Sequence, residues 1–498
     1  MLFNSWQFLF VFLPISFFVY FFLNARGLFA VGKVFLVGCS LFFYAYWDVS
    51  YLPIIVTSLF FNYAVGTGLT QAHPENLKKT NIKRHELNRK VVLIIGILSN
   101  VLLLGYYKYY DFFITNINVL IGSSYDIKHI ILPLGISFFT FQQIAYLVDS
   151  YNGETSEYNF VNYALFVTFF PQLIAGPIVH HHEMMSQFNS KWRMSVRYSY
   201  ISRGLFIFAI GLFKKVVIAD SFSFWANNWF DGNGSLSFFE GWAASLSYTF
   251  QLYYDFSGYC DMAIGLGLLF NIKLPVNFYS PYKSLDIQDF WRRWHITLGR
   301  FLRDYIYIPL GGSKNKLPIT CCNLFITFLI GGLWHGASWM FVIWGAMHGG
   351  ALIVYRLWRE LGFSMPKWIA WFTTFLFVNI TWVFFRAHDL SQAKRVLSAM
   401  VDVSSIYSSA DLIPTSSLAW AGTVSDYLVN IMPASLISIL PVYIAIMASF
   451  ALIFCNNSIQ LSDGKVTRIK AYLGALLFAV AICFSLGSKS SVFLYFNF

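Results

Sequence analysis

The stretch Gly331–Gly350, GGLWHGASWMFVIWGAMHGG, sets two histidines, His335 and His348, in a run that is otherwise apolar, small or aromatic. An ionisable side chain at membrane depth costs free energy and marks a functional site by default. Trp334, Trp339 and Trp344 with the flanking glycines predict tight packing around a cavity rather than a lipid-facing surface. For His348 a second reading stays open, a buried histidine satisfied by a hydrogen bond within the core.

Composition extends that reading to the whole chain. Of 498 residues, 57% are hydrophobic, 20% aromatic and only 11% charged. An ordinary soluble domain carries roughly 25% charged residues. Apolar segments recur at about 6–24, 29–47, 52–70, 91–107, 130–148, 160–179, 203–219, 242–272, 319–333, 337–355, 368–385, 433–455 and 470–487, enough for about a dozen spans of roughly 20 residues. The first of them has no basic region before it and no small-residue cleavage site after it, so it reads as a transmembrane helix and not a removable signal. Pro133, Pro171 and Pro177 interrupt two segments, which predicts re-entrant shapes. The stretch 242–272 is long enough for a bent helix or two short ones. The fold class expected is an all-α, polytopic integral membrane protein, a single domain over 1–498, with no internal repeat and no soluble domain.

The net charge of +11 has no basic tract behind it and is read as loop bias in a membrane protein, which argues against nucleic acid as a partner and for membrane lipids. Lys78, Lys79, Lys83, Arg84, Arg89 and Lys90 against Glu75 and Glu86 place the loop 71–90 on the cytoplasmic side. Lys465, Arg468 and Lys470 do the same for the last loop, so the final helix runs outward and leaves the C-terminal tail outside. The six cysteines show neither metal spacing nor a disulfide framework. Cys321-Cys322 at a membrane boundary fits acylation or small apolar filler. No metal site is expected.

One segment departs from the apolar pattern. Tyr282–Lys316, YKSLDIQDFWRRWHITLGRFLRDYIYIPLGGSKNK, holds seven Lys/Arg and three Asp. Ile287, Phe290, Trp291, Trp294, Leu298, Phe301 and Leu302 recur at helical spacing, which predicts one amphipathic helix. Arg292, Arg293, Arg300 and Arg303 then share one arc, with His295 at its border, and Gly311-Gly312 ends the unit. A histidine on a basic amphipathic helix and another in a tryptophan-glycine pocket suit acyl transfer: neutral imidazole takes a hydroxyl proton near pH 7. The arginines suit the phosphates of a nucleotide-type thioester donor, and equally positive-inside anchoring.

These blocks carry a resemblance. FFPQLIAGPIVHHHEMMSQF (169–188), the segment 248–313 from YTFQLYYDFSGY to IPLGGS, GGLWHGASWMFVIWGAMHGG (331–350) and TWVFFRA (381–387) resemble the membrane-bound O-acyltransferase (MBOAT) family, in its alginate and peptidoglycan O-acetyltransferase branch. The resemblance runs from about residue 1 to 400 and resumes at the C-terminus. It implies a polytopic helical fold with re-entrant and amphipathic helices around a central tunnel, a catalytic core at about 130–390, and C-terminal helices and tail at 430–498. It also implies His335 as general base and His295 as its partner, with Trp334 and His348 as pocket residues. Phe493–Phe498 fits an FxYxxF pattern in which Tyr495 would accept the acyl group transiently; an aromatic interface belt is the other reading. The implied function is acetyl transfer from acetyl-CoA, a donor rather than a bound cofactor, toward an exported or cell-wall polysaccharide. A periplasmic SGNH-type partner and the bacterial inner membrane go with it. A secondary transporter, or D-alanyl transfer to teichoic acid, are the alternatives.

Overall fold

The computed structural model describes residues 1–71, 82–155, 159–407, 434–487 and 493–494. Among them the chain is built from helices, with no β-strand. Seven helices of the described residues are long and apolar enough to cross a membrane: Phe8–Ala25, Val49–Gln71, Asn88–Ile121, Leu317–His335, Trp339–Glu360, Lys367–Arg386 and Arg468–Leu486. Phe29–Ala45 and Ile439–Phe454 are shorter apolar helices. Several other apolar stretches are buried against protein.

The stretch 242–272 is the clearest case. It forms one unbroken helix, Phe238–Leu269, of 32 residues, about 48 Å at 1.5 Å per residue. Reciprocal capping between Ser237 and Glu240 starts it. Nearly every residue from Gly241 onward is buried, so this helix is the axis of the core. Helix Tyr198–Phe213 crosses it backbone to backbone; a Cβ on Gly265 would lie 2.7 Å from the carbonyl oxygen of Gly204.

The proline-bearing stretches are broken and shielded, as sequence predicts. Helix Phe160–Thr168 stops before Phe170–Leu173, and the Gln172 side chain donates to the Phe166 carbonyl at 2.7 Å. A left-handed Gly135, φ 70°, opens helix Ile136–Asn152. The basic stretch 71–90 is not all loop, since helix begins at Ile82. Arg89 is buried there and donates to the carbonyls of Leu69 and Tyr151.

The decisive stretch forms two helices, Leu317–His335 and Trp339–Glu360, that turn back on each other through Gly336 and Ser338. Their axes can approach closely because glycine faces glycine. A Cβ on Gly345 would meet the Phe328 carbonyl oxygen at 2.6 Å and the Gly332 Cα at 3.1 Å. Small residues at a helix crossing are the usual route to tight packing where no hydrophobic effect drives association. The crossing fixes His335 at the tip of the pair and His348 inside it.

Candidate active site

The segment 287–302 is where the structure corrects the sequence reading most. Instead of one amphipathic helix there are two short ones, Ile287–Arg293 and Ile296–Leu302, separated at Trp294-His295. His295 adopts the left-handed conformation, φ 44° and ψ 52°. For a non-glycine residue this costs roughly 1–2 kcal/mol, and such strain is concentrated at functional sites. The break persists because residues 277–279 claim the main chain. Tyr279 donates to the Arg293 carbonyl at 3.0 Å, and Ile296 donates to the Asn277 carbonyl at 3.0 Å.

The Asn277 side chain completes this clamp. Its Oδ1 accepts from the Thr297 amide at 3.1 Å and the Thr297 hydroxyl at 2.9 Å, and His295 Nδ1 lies 3.2 Å from the same oxygen. An oxygen that already accepts from an amide also takes a proton donor from imidazole, so Nδ1 carries the hydrogen. The lone pair of His295 is then on Nε2.

His335 and His295 come together as predicted, with ring centroids 6.4 Å apart and planes at 62°. At that separation the rings do not hydrogen-bond to each other, yet both can reach one substrate group. Trp334 lies beside them, 5.0 Å from His335 and 6.1 Å from His295. Trp344 and Phe385 pack edge-on to His335 at 5.1 and 5.2 Å. Both histidines are buried.

The tip holding His335 is fastened by residues the sequence reading did not single out. Lys108 Nζ donates to the carbonyls of Trp334, 2.5 Å, and His335, 3.1 Å, and to Ser137 Oγ at 3.2 Å. Tyr109 donates its hydroxyl to the Leu333 carbonyl at 2.5 Å. A cation at a helix C-terminus offsets the negative end of the helix dipole and occupies carbonyls without intrahelical partners. The only sequence signal was one lysine next to an apolar run.

His348 resolves toward the core reading. Trp291 Nε1 donates to His348 Nδ1 at 3.2 Å, which leaves the ring hydrogen on Nε2, 3.1 Å from Thr381 Oγ1. The Thr381 hydroxyl donates onward to the Val378 carbonyl at 2.8 Å. With both nitrogens engaged, His348 ties three helices together.

The arginines divide. Arg292, Arg300 and Arg303 line a cavity of about 960 Å³ together with Arg356 and Arg359 of the returning helix. Its acidic lining is Asp286, Asp289 and Glu360, and Trp291, Phe328 and Leu352 are among its apolar walls. Arg293 does not line it and pairs with Asp289 at 2.9 Å. Arg300 forks onto Glu183, 2.7 and 3.2 Å. Burial alone would raise the Glu183 carboxyl, but that guanidinium outweighs it and holds the group below its usual pKa. Arg303 pairs with its neighbour Asp304, and Arg292 makes no ion pair or hydrogen bond among the described residues. Arg356 and Arg359, one helical turn apart near the end of Trp339–Glu360, were missed because each looked like ordinary helix-end charge. Tyr495 lies outside the described residues.

A polytopic helical membrane protein with paired buried histidines, one ending a WHG helix, defines a class. The chain belongs to the membrane-bound O-acyltransferase family, whose model matches residues 41–388. It is an O-acyltransferase. It is similar to a peptidoglycan O-acetyltransferase of Helicobacter pylori, 48% identical over 534 aligned positions covering 100% of this chain and 98% of that one. A protein described as a probable alginate O-acetylase AlgI from Azotobacter vinelandii is 40% identical, covering 80% of this chain and 78% of its own. A teichoic acid D-alanyltransferase of Bacillus subtilis is 28% identical over 50% of this chain and 66% of its own.

Proposed function

We propose that this protein takes an acetyl group from a cytoplasmic thioester, acetyl-CoA, and passes it across the bacterial inner membrane for O-acetylation of an exported cell-wall polysaccharide. Peptidoglycan is the favoured acceptor, on the 48% identity along the full chain, with an alginate-like polymer second. The observation that carries the reading is the placement of His335 and His295 at one end of helix Leu317–His335, while the arginine-lined cavity takes its walls from that helix farther back, at Leu324, Thr327 and Phe328. From Leu317 to His335 the helix is about 28 Å long, close to the thickness of a bilayer's hydrocarbon core.

In this reading the cavity receives the donor's phosphates, for which arginine forks are suited. His335 acts as general base on the accepting hydroxyl. That oxygen bonds to the thioester carbonyl carbon, the carbon–sulfur bond breaks, and the proton taken by His335 goes to the departing sulfur. His295, with its hydrogen fixed on Nδ1, presents Nε2 toward the same reaction. Trp334 walls the chamber. Tyr495 is the proposed transient acyl acceptor, and a periplasmic SGNH-type partner completes transfer to the glycan.

The test is mass spectrometry of the cell-envelope glycans in cells lacking the gene, complemented with the wild-type chain or with His335→Ala. O-acetyl groups restored by wild type but not by the variant support the reading. Restoration by the variant overturns it.

A further inference from the structure

Outside the histidine pair, the described core buries a second cluster of charge. Lys215 Nζ contacts Asp220 Oδ1 at 2.8 Å and Asp255 Oδ1 at 2.7 Å, with all three side chains under a tenth exposed. One cation shared between two buried carboxyl groups leaves the carboxyl oxygens in need of further donors. One comes from far along the chain: the main-chain N–H of Leu494 donates to Asp255 Oδ2 at 2.9 Å. A main-chain amide held by a buried carboxylate is a charge-assisted contact, stronger than an ordinary hydrogen bond.

The residue beside it is held as well. Phe493 is buried and stacks on Tyr259, centroids 4.5 Å apart and planes at 24°. Tyr259 lies one turn beyond Asp255 on the central helix and also stacks on Phe3 at 4.9 Å, so both ends of the chain pack on one ring. Phe493 lies 5.9 Å from Phe256, and Phe256 meets His295 edge-on at 4.8 Å and 85°. Asp255, Phe256 and Tyr259 thus connect the docked segment to the reaction chamber through a single aromatic ring.

We infer that Asp255, charge-balanced by Lys215, is the docking site for Phe493-Leu494, and that these two docked residues brace the chamber wall beside His295 through Phe256. Asp255 is then a positioning residue, acting through Leu494 and Phe256. The chamber part rests on the reading of His335 and His295 as the reaction centre; the docking part does not.

Leu494→Pro removes the N–H that Asp255 holds and also fixes the local backbone, while Leu494→Ala trims the side chain and keeps the N–H. Phe493→Ala removes the stacking ring while keeping the backbone. Two measurements on the purified full-length protein and on cells carrying it separate the claims. Carboxypeptidase digestion followed by intact mass reports docking, whatever the enzyme does. Glycan O-acetylation at equal protein level reports the bracing of His295. Expected are at least tenfold faster loss of residues 496–498, which lie beyond the bonds that a proline at 494 protects from carboxypeptidase, and at least tenfold less acetylation in Leu494→Pro, with Leu494→Ala within twofold of wild type and Phe493→Ala in between. Equal protection in Leu494→Pro and Leu494→Ala overturns the docking site. Lost protection with unchanged acetylation overturns the bracing role. If His335→Ala proves active, the reaction-centre reading fails while the digestion result still decides the docking.

Discussion

Lys108 Nζ reaches the main-chain carbonyl oxygen of His335 at 3.1 Å, across 227 positions of sequence. The lysine thereby sets where the helix ends, and so where its last side chain points. Lys108→Met keeps the apolar stem but strips the carbonyls of Trp334 and His335 of their donor. The acetylation rate should fall about tenfold, the equivalent of roughly 1.4 kcal/mol of misplaced transition-state contact. Protein abundance in membranes should stay near wild type. A variant with full rate per molecule would show that the cap serves stability alone.

Removing the two histidines should hit the chemistry harder. His335→Ala is expected to lower transfer by about a hundred- to ten-thousand-fold, the usual contribution of a positioned base. His295→Ala should come close to it. Asn277→Ala should cost less than either, because it removes the partner of Nδ1 but leaves the ring. Initial rates in reconstituted membranes, with the protein's thermal melting as a control, check all three; a dead Asn277→Ala beside an active His295→Ala would reverse the assignment.

Much of this was legible in the chain and some was not. Charge-poor composition and the tryptophan-glycine run were enough for a helical membrane protein with His335 buried among aromatic rings, since both are local. The break at His295 left no trace, because two short helices sharing one buried side keep the spacing of Ile287, Phe290, Trp291, Leu298 and Phe301 that a single helix would show. What enforces the break is Asn277, 18 residues earlier, through main-chain pairing that no periodicity encodes. The burial of the central helix was hidden for a similar reason: hydropathy does not tell a neighbour of lipid from a neighbour of protein.

His348 should behave differently from the other two. It accepts from Trp291 and engages Thr381, so His348→Ala strands buried polar groups in the core. Each costs about 1–3 kcal/mol, with a cavity cost added. The expected outcome is a lower melting temperature and lower abundance, with transfer per folded molecule largely kept. Loss of rate at unchanged melting temperature would return His348 to the chemistry.

The arginine cavity predicts a split among four arginines on two helices. If the cavity holds the donor's phosphates as proposed, Arg292→Glu, Arg356→Glu and Arg359→Glu should each raise the acetyl-CoA concentration needed for half-maximal rate by about tenfold, because each reverses the charge of one cavity-lining arginine. Arg293→Glu should not, because Arg293 faces Asp289 instead. Donor titration in a reconstituted assay reads this directly. Equal effects at all four positions would favour anchoring to the membrane surface over donor binding.

The last prediction concerns Tyr495, which follows directly on the residue whose amide Asp255 holds. A phenol with an ordinary pKa near 10 is a weak nucleophile without an adjacent base, a part that His335 or His295 would fill. Tyr495→Phe keeps the aromatic ring and removes the one atom that can carry the acetyl group. If that oxygen is the relay, glycan acetylation falls sharply at constant protein level, and no acetylated C-terminal peptide is recovered from the variant. If the tail serves only as an aromatic anchor, phenylalanine substitutes fully. Full acetylation in Tyr495→Phe would therefore remove the relay and leave direct transfer at His335 onto the partner or the glycan hydroxyl.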